Sequence, residues 1–211
     1  MDATVFYDYS KHNLLNLKEI ICKLDMVIVR NIEAEQFFST MNENVINIPD
    51  DVVIESLLTE KTIHNKPRVA LALHSLRESD WRFLLPVIQH YSERIDWIIY
   101  GECPAELKPN IKEYHRKVVK KDFFGTLLHL NADLALAPLE RGNFNRHKGA
   151  FDVLAWQALG VPCFASDVMQ YDSLTGIKVI KNKASEWKYA LQKYLEQAYV
   201  LKSEAMIFNQ E

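Results

Sequence analysis

From Arg68 onward the sequence alternates short, largely apolar runs with longer segments whose apolar residues recur at helical spacing. The runs fall at residues 68–73, 96–100, 117–120, 134–138, 162–166 and 178–180. Buried strands that alternate with helices belong to a parallel sheet, because such strands are apolar on both faces and helices must cover them. The expected architecture is therefore α/β: a Rossmann-like parallel sheet with helices on both faces. Trp81, Leu84, Leu85, Ile88 and Tyr91 form one helical stripe, and Phe123, Leu127, Leu128 and Leu130 a shorter one. Phe151, Val153, Leu154, Ala155, Trp156, Ala158 and Leu159 are apolar nearly all round, which calls for burial against both the sheet and a neighbour. Gly160 ends that helix and Val161-Pro162 opens the next strand. Trp187, Ala190, Leu191, Tyr194, Leu195 and Ala198 mark a closing helix, with Ser185 as its expected N-cap.

The first 66 residues read differently. Strands are expected at 5–7, 26–29 and 46–49, with helices at 14–23 and 33–41, as in the end of a preceding α/β domain. The domain reading is an N-terminal α/β remnant over 1–50, a linker with a short helix over 51–66, the Rossmann-like domain over 67–200 and a tail over 201–211. A chain of 211 residues that is 48% hydrophobic supports one core plus a smaller appendage. Cys22, Cys103 and Cys163 have neither zinc-site nor dithiol spacing, and they read as buried reduced thiols suited to the cytoplasm. The apolar runs fall short of the roughly 20 residues that span a bilayer, and no cationic start with an apolar stretch reads as a signal peptide.

The net charge of −3 is uneven. Residues 1–60 hold 11 acidic against 4 basic groups (−7), which leaves 17 against 21 (+4) in residues 61–211. Lys108, Lys112, Arg116, Lys117, Lys120 and Lys121 form one basic cluster; flanked by acids and lacking interleaved aromatics, it reads as a solvated face rather than a nucleic-acid site. Arg141, Arg146 and Lys148 form a second.

Ligands of open parallel sheets bind outside the carboxyl ends of the strands. Two loops occupy such places. His74 to Asp80, after the first strand, lacks the glycines of a dinucleotide fingerprint but opens a helix whose amides could hold a phosphate; equally, Ser75 or Ser79 caps the helix and Asp80 complements its dipole. Glu140 to Gly149 combines Arg141, Arg146, Lys148 and His147 with Asn143 and Asn145 at the entrance to the buried helix. Cations beside free helix amides suit a diphosphate, and cations there oppose the helix dipole unless an anion is present. The alternative is a polar surface loop. Asp50-Asp51 reads as a helix-capping pair, and no histidine or cysteine spacing suggests a metal.

Residues 132–140 (ADLALAPLE), Phe144-Asn145-Arg146-His147-Lys148, Ala158-Leu159-Gly160-Val161-Pro162 and Ala165-Ser166-Asp167 resemble the C-terminal, nucleotide-sugar-binding domain of GT-B-fold group 1 glycosyltransferases of bacterial surface polysaccharide synthesis. Order and spacing agree from Arg68 to about Leu195. The resemblance implies two Rossmann-like domains facing a cleft, a nucleotide-sugar donor, a glycan or lipid-linked acceptor, no metal or other cofactor, peripheral membrane association, and a further N-terminal domain. Carried onto this chain, it makes Lys148 the phosphate contact, followed by Asn145 and Arg146, with Arg77, His147 and Glu140 completing the donor-binding set; no catalytic residue is assigned. The family's two glutamates eight positions apart correspond to His147 and Ala155, and a methyl group cannot accept ribose hydroxyl hydrogen bonds. A basic residue one turn into the helix is replaced by Asp152, and glycines after the first strand by His74 and Ser75. Two functions follow: a glycosyltransferase or its donor-binding part, or a degenerate, non-catalytic module acting in protein interaction.

Overall fold

The computed structural model describes residues 11–52, 62, 64–73, 76–115, 123–142 and 145–208. Six parallel strands, β3 (Arg68–Ala72), β4 (Asp96–Tyr100), β5 (Glu113–His115), β6 (Leu134–Ala137), β7 (Cys163–Ser166) and β8 (Ile177–Ile180), line up in the order β5-β4-β3-β6-β7-β8. Counted along the chain this is the doubly wound order 3-2-1-4-5-6, with its reversal between β3 and β6.

Alternation along the strands sorts the core into two layers. Val69, Leu71, Trp97, Ile99, Leu134, Leu136 and Phe164 face α4 (Leu85–Tyr91) and α7 (Ala184–Phe208), where Val87, Ile88, Trp187, Leu191 and Leu195 meet them. Ala70, Ala72, Ala135, Ala137 and Ala165 take the other face, and these small side chains leave room for α5 (Phe123–His129) and α6 (Phe151–Ala158) to bring in Leu127, Val153 and Trp156. The all-round apolar α6 is thus buried as its composition predicts, with Trp156 1% exposed. No helix among the described residues is long and apolar enough to cross a membrane.

Before this sheet stands a smaller unit. β1 (Val27–Val29) and β2 (Val45–Asn47) pair in parallel and are joined by α2 (Ile32–Ser39), with α1 (Lys11–Ile21) ahead of them. Asn31 caps α2, its Oδ1 accepting from Ala34 N at 2.8 Å. Leu17, Ile21, Val27, Val29, Ala34 and Phe38 close one face of the pair. On the other face Met26, Ile28, Ile46 and Ile48 are exposed.

Several expectations are corrected. Edge strand β5, paired with β4, was not expected, because Glu113-Tyr114-His115 has no buried apolar run to mark it; the strand expected at 117–120 falls outside the described residues. Residues 116–122 lie outside the described residues, as do the expected strand at 5–7 and most of the helix expected at 51–58. The stripe from Trp81 to Tyr91 is broken into α3 (Glu78–Trp81), a 3-10 turn at Arg82–Leu84 and α4, because Pro86 has no amide to continue one helix. Ser185 sits inside α7 rather than before it, and α7 runs to Phe208, through the boundary expected at residue 200. Cys163 is buried, and burial pushes its thiol up to about 12, with Asp152 adding to the rise; Cys103 is half-buried and Cys22 exposed, so only one thiol is the buried hydrophobe expected of all three.

Candidate functional site

The strand order reverses between β3 and β6, and it is outside the carboxyl ends of the strands at such a point that open parallel sheets bind ligands. The loop after β3 leads into α3 and the loop after β6 into α6. Asp80 ties the two together. It stands at the third position of α3, where its Oδ2 accepts from Arg77 N at 2.8 Å, one half of a capping box. Its Oδ1 reaches across and accepts from Glu140 N at 2.9 Å and from Asn145 Nδ2 at 2.5 Å. Lys148 Nζ lies 3.7 Å from Oδ2. The carboxylate is completely buried, and it is tolerable there because amides, a carboxamide and an ammonium surround it.

The cap of α3 is therefore Arg77 with Asp80, not Ser79, and His74 and Ser75 lie outside the described residues. Asp80 was expected only to complement the helix dipole; an acid at the third position of a helix that begins just past a strand end is the signal for its second role.

Four of the expected donor residues, Arg77, Glu140, Asn145 and Lys148, gather around Asp80. Asn145 is buried in a 3-10 turn (Asn145–His147), and its Nδ2 also holds Glu140 O at 2.9 Å, while its own carbonyl accepts from Gln170 Nε2. Glu140 contributes its backbone amide and leaves its side chain exposed. Lys148 is largely buried; burial holds its ammonium below the usual lysine range, Asp80 and Asp152 oppose that shift, and Arg77 adds to it. Arg77 thus stands within electrostatic reach of Lys148.

Arg146 and His147 turn the other way, toward the small N-terminal unit. Arg146 Nη2 pairs with Glu33 at 3.0 Å. The His147 ring packs on Phe37 with centroids 4.8 Å apart, and burial lowers its pKa, Arg146 adding to the drop and Glu33 opposing it. Asn31 Nδ2 donates to the carbonyls of Lys148 at 2.6 Å and Arg146 at 3.2 Å. Further along the loop, Arg141 pairs with Asp167 at 2.9 Å, Leu139 N donates to Ser166 Oγ at 2.8 Å, and Asn182 Nδ2 donates to Leu139 O at 2.8 Å. In the other basic cluster Lys108 and Lys112 are exposed, and Arg116, Lys117, Lys120 and Lys121 lie outside the described residues, as do Asn143 and Phe144.

The amides at the start of α6 were expected to be free. Phe151 N instead donates to Asp50 Oδ2 at 3.1 Å, and Asp50 Oδ1 binds Arg30 Nη1 at 2.6 Å. Asp50 does cap a helix, but one 101 residues further on. Asp50 and Asp80 supply from within the chain the negative charge that the cationic loop requires. Ala155 is fully buried in the layer that also holds Val153, Trp156 and Tyr171. No group of three His, Cys, Asp or Glu side chains suited to a metal occurs among the described residues.

No protein-family model and no curated protein matches this sequence. Solved structures do. TarM superposes with a TM-score of 0.63 at 13% identity, over 90% of this chain and 41% of TarM. A mutant of S. aureus TarM in complex with fondaparinux, alpha-GlcNAc-glycerol and UDP superposes with a TM-score of 0.58 at 12% identity, over 90% of this chain and 42% of its own. The chain thus spans about two fifths of the length of these GT-B glycosyltransferases. Its fold is theirs, the partial coverage fits a C-terminal domain, and a match over 90% of the chain takes in the small N-terminal unit as well as the six-stranded sheet.

Proposed function

We propose that this chain, with the fold of a GT-B glycosyltransferase, carries the donor-binding part of such an enzyme and holds the diphosphate of a nucleotide-sugar at the crevice between β3 and β6. The observation that carries the reading is the buried Asp80, which draws the loop after β6 onto the loop after β3 and keeps Lys148 beside the crevice. An ammonium held in a largely buried site is a strong anion ligand, because little water competes for it. In glycosyl transfer the bond between the anomeric carbon and the phosphate oxygen breaks, and negative charge grows on the departing diphosphate while the sugar takes on oxocarbenium character. Lys148 and Arg77 would stabilise that charge without a metal. Asn145 and the Glu140 amide hold the loop in shape. Arg146 and His147, engaged by Glu33 and Phe37, support the loop from behind. The acceptor is a glycan or a lipid-linked saccharide, in surface polysaccharide synthesis on the cytoplasmic side of the membrane.

Calorimetry with UDP-, GDP- and ADP-sugars tests this reading. At least one should bind, and Lys148→Ala should remove the binding; a folded sample that binds none sinks it. One observation favours a second reading, a non-catalytic module that works through protein contacts: Ala155, at the position where the family resemblance calls for a ribose-binding glutamate, is sealed in the apolar layer. That reading expects a stable protein partner and no nucleotide affinity.

A further inference from the structure

Residues 30–50 engage Arg146, His147 and the first amide of α6, while the Lys148 ammonium faces Asp80. Glu33 holds Arg146, Phe37 covers His147, Asn31 fastens the carbonyls of Arg146 and Lys148, and Asp50 takes the amide of Phe151. Asp50 is the acid among them that reaches the helix end itself. Its side chain is 5% exposed, and it lies so close to Gly149 that a Cβ there would overlap Oδ2. That contact explains a glycine just before α6, at a position without positive φ. Arg30 binds the other carboxylate oxygen, so the acid is held on both sides.

We propose that Asp50 is an internal stand-in for the donor's diphosphate: it occupies the N-terminus of α6, and donor affinity is set by competition between this carboxylate and the incoming phosphates. The inference rests on the donor-binding reading above. A carboxylate and a phosphate cannot share one amide, and at a few ångströms their like charges repel in a site with little water. Because Asp50 belongs to the same small unit as Asn31, Glu33 and Phe37, withdrawal of that unit uncovers the helix end, Arg146 and His147 together.

The experiment is calorimetric titration with inorganic pyrophosphate and with UDP at fixed ionic strength. Asp50→Asn keeps the size and an acceptor oxygen for Phe151 N but removes the charge, and it should bind both probes at least about tenfold more tightly than the parent chain. Asp51→Asn removes the same charge from an exposed neighbour and should leave affinity unchanged. Equal binding by the parent chain and Asp50→Asn, abolished in both by Lys148→Ala, overturns the competition and leaves the donor reading standing. No binding by either overturns both. Should Asp50→Asn fail to fold, Asp50→Ser, a neutral residue that caps helices well, carries the same expectation, and lack of a gain there overturns the proposal.

Discussion

At the scale of the residue, Asp80 decides most. One buried carboxylate satisfies two backbone amides from different loops and a buried carboxamide, and it also faces the Lys148 ammonium. Asp80→Ala takes that acceptor from each of them, and by the usual cost of breaking a buried ionic arrangement it should destabilise the chain by about 3–5 kcal/mol. Asp80→Asn keeps one acceptor oxygen and should cost less. Chemical denaturation of both variants checks this, and a loss below about 1 kcal/mol for the alanine variant would contradict the assignment. Lys148 was legible from its place in a cationic loop beyond a strand end. Asp80 was visible in sequence only as a helix-start acid, because its second set of partners lies 60 and 65 residues away.

At the scale of the element, the two ends of α6 make the contrast. Its C-terminus is a local affair: Gly160 adopts a φ of +69°, Gly160 N donates to Gln157 O and Val161 N to Trp156 O, which completes a Schellman motif within six residues. Gly160 was therefore legible. The space around it is open, so Gly160→Ala should suffer backbone strain alone, roughly 1 kcal/mol, read as a fall of about 2–4 °C in Tm. The N-terminus is closed by Asp50, and no local pattern announces a cap that arrives from another unit. The same distinction covers the strands: the central strands were found almost to the residue, since their apolar runs are dictated by burial on both faces, whereas edge strand β5, with no fully buried side chain, has no such run and was missed.

At the scale of the whole molecule, a large sheet and a small one meet along the loop at Asn145–Phe151. The small parallel pair keeps one apolar face uncovered, with Ile28 directly opposite Ile46. Both are about half exposed, so Ile28→Thr and Ile46→Thr should each shift the unfolding free energy by no more than about 0.5 kcal/mol. A loss of several kcal/mol in either variant would mean that the face is covered in solution. The α/β class, the doubly wound sheet, the burial of α6 and the cationic loop beyond β6 all followed from sequence by itself, because periodicity and strand-end position are properties of neighbouring residues. Only the tertiary structure decided which side chains of that loop turn to Asp80 and which are held by residues 30–50, that Asp80 joins the two loops, and that the start of α6 already carries a carboxylate. Those outcomes depend on side chains that packing brings together from 60 to 117 residues apart, and local pattern carries no record of them.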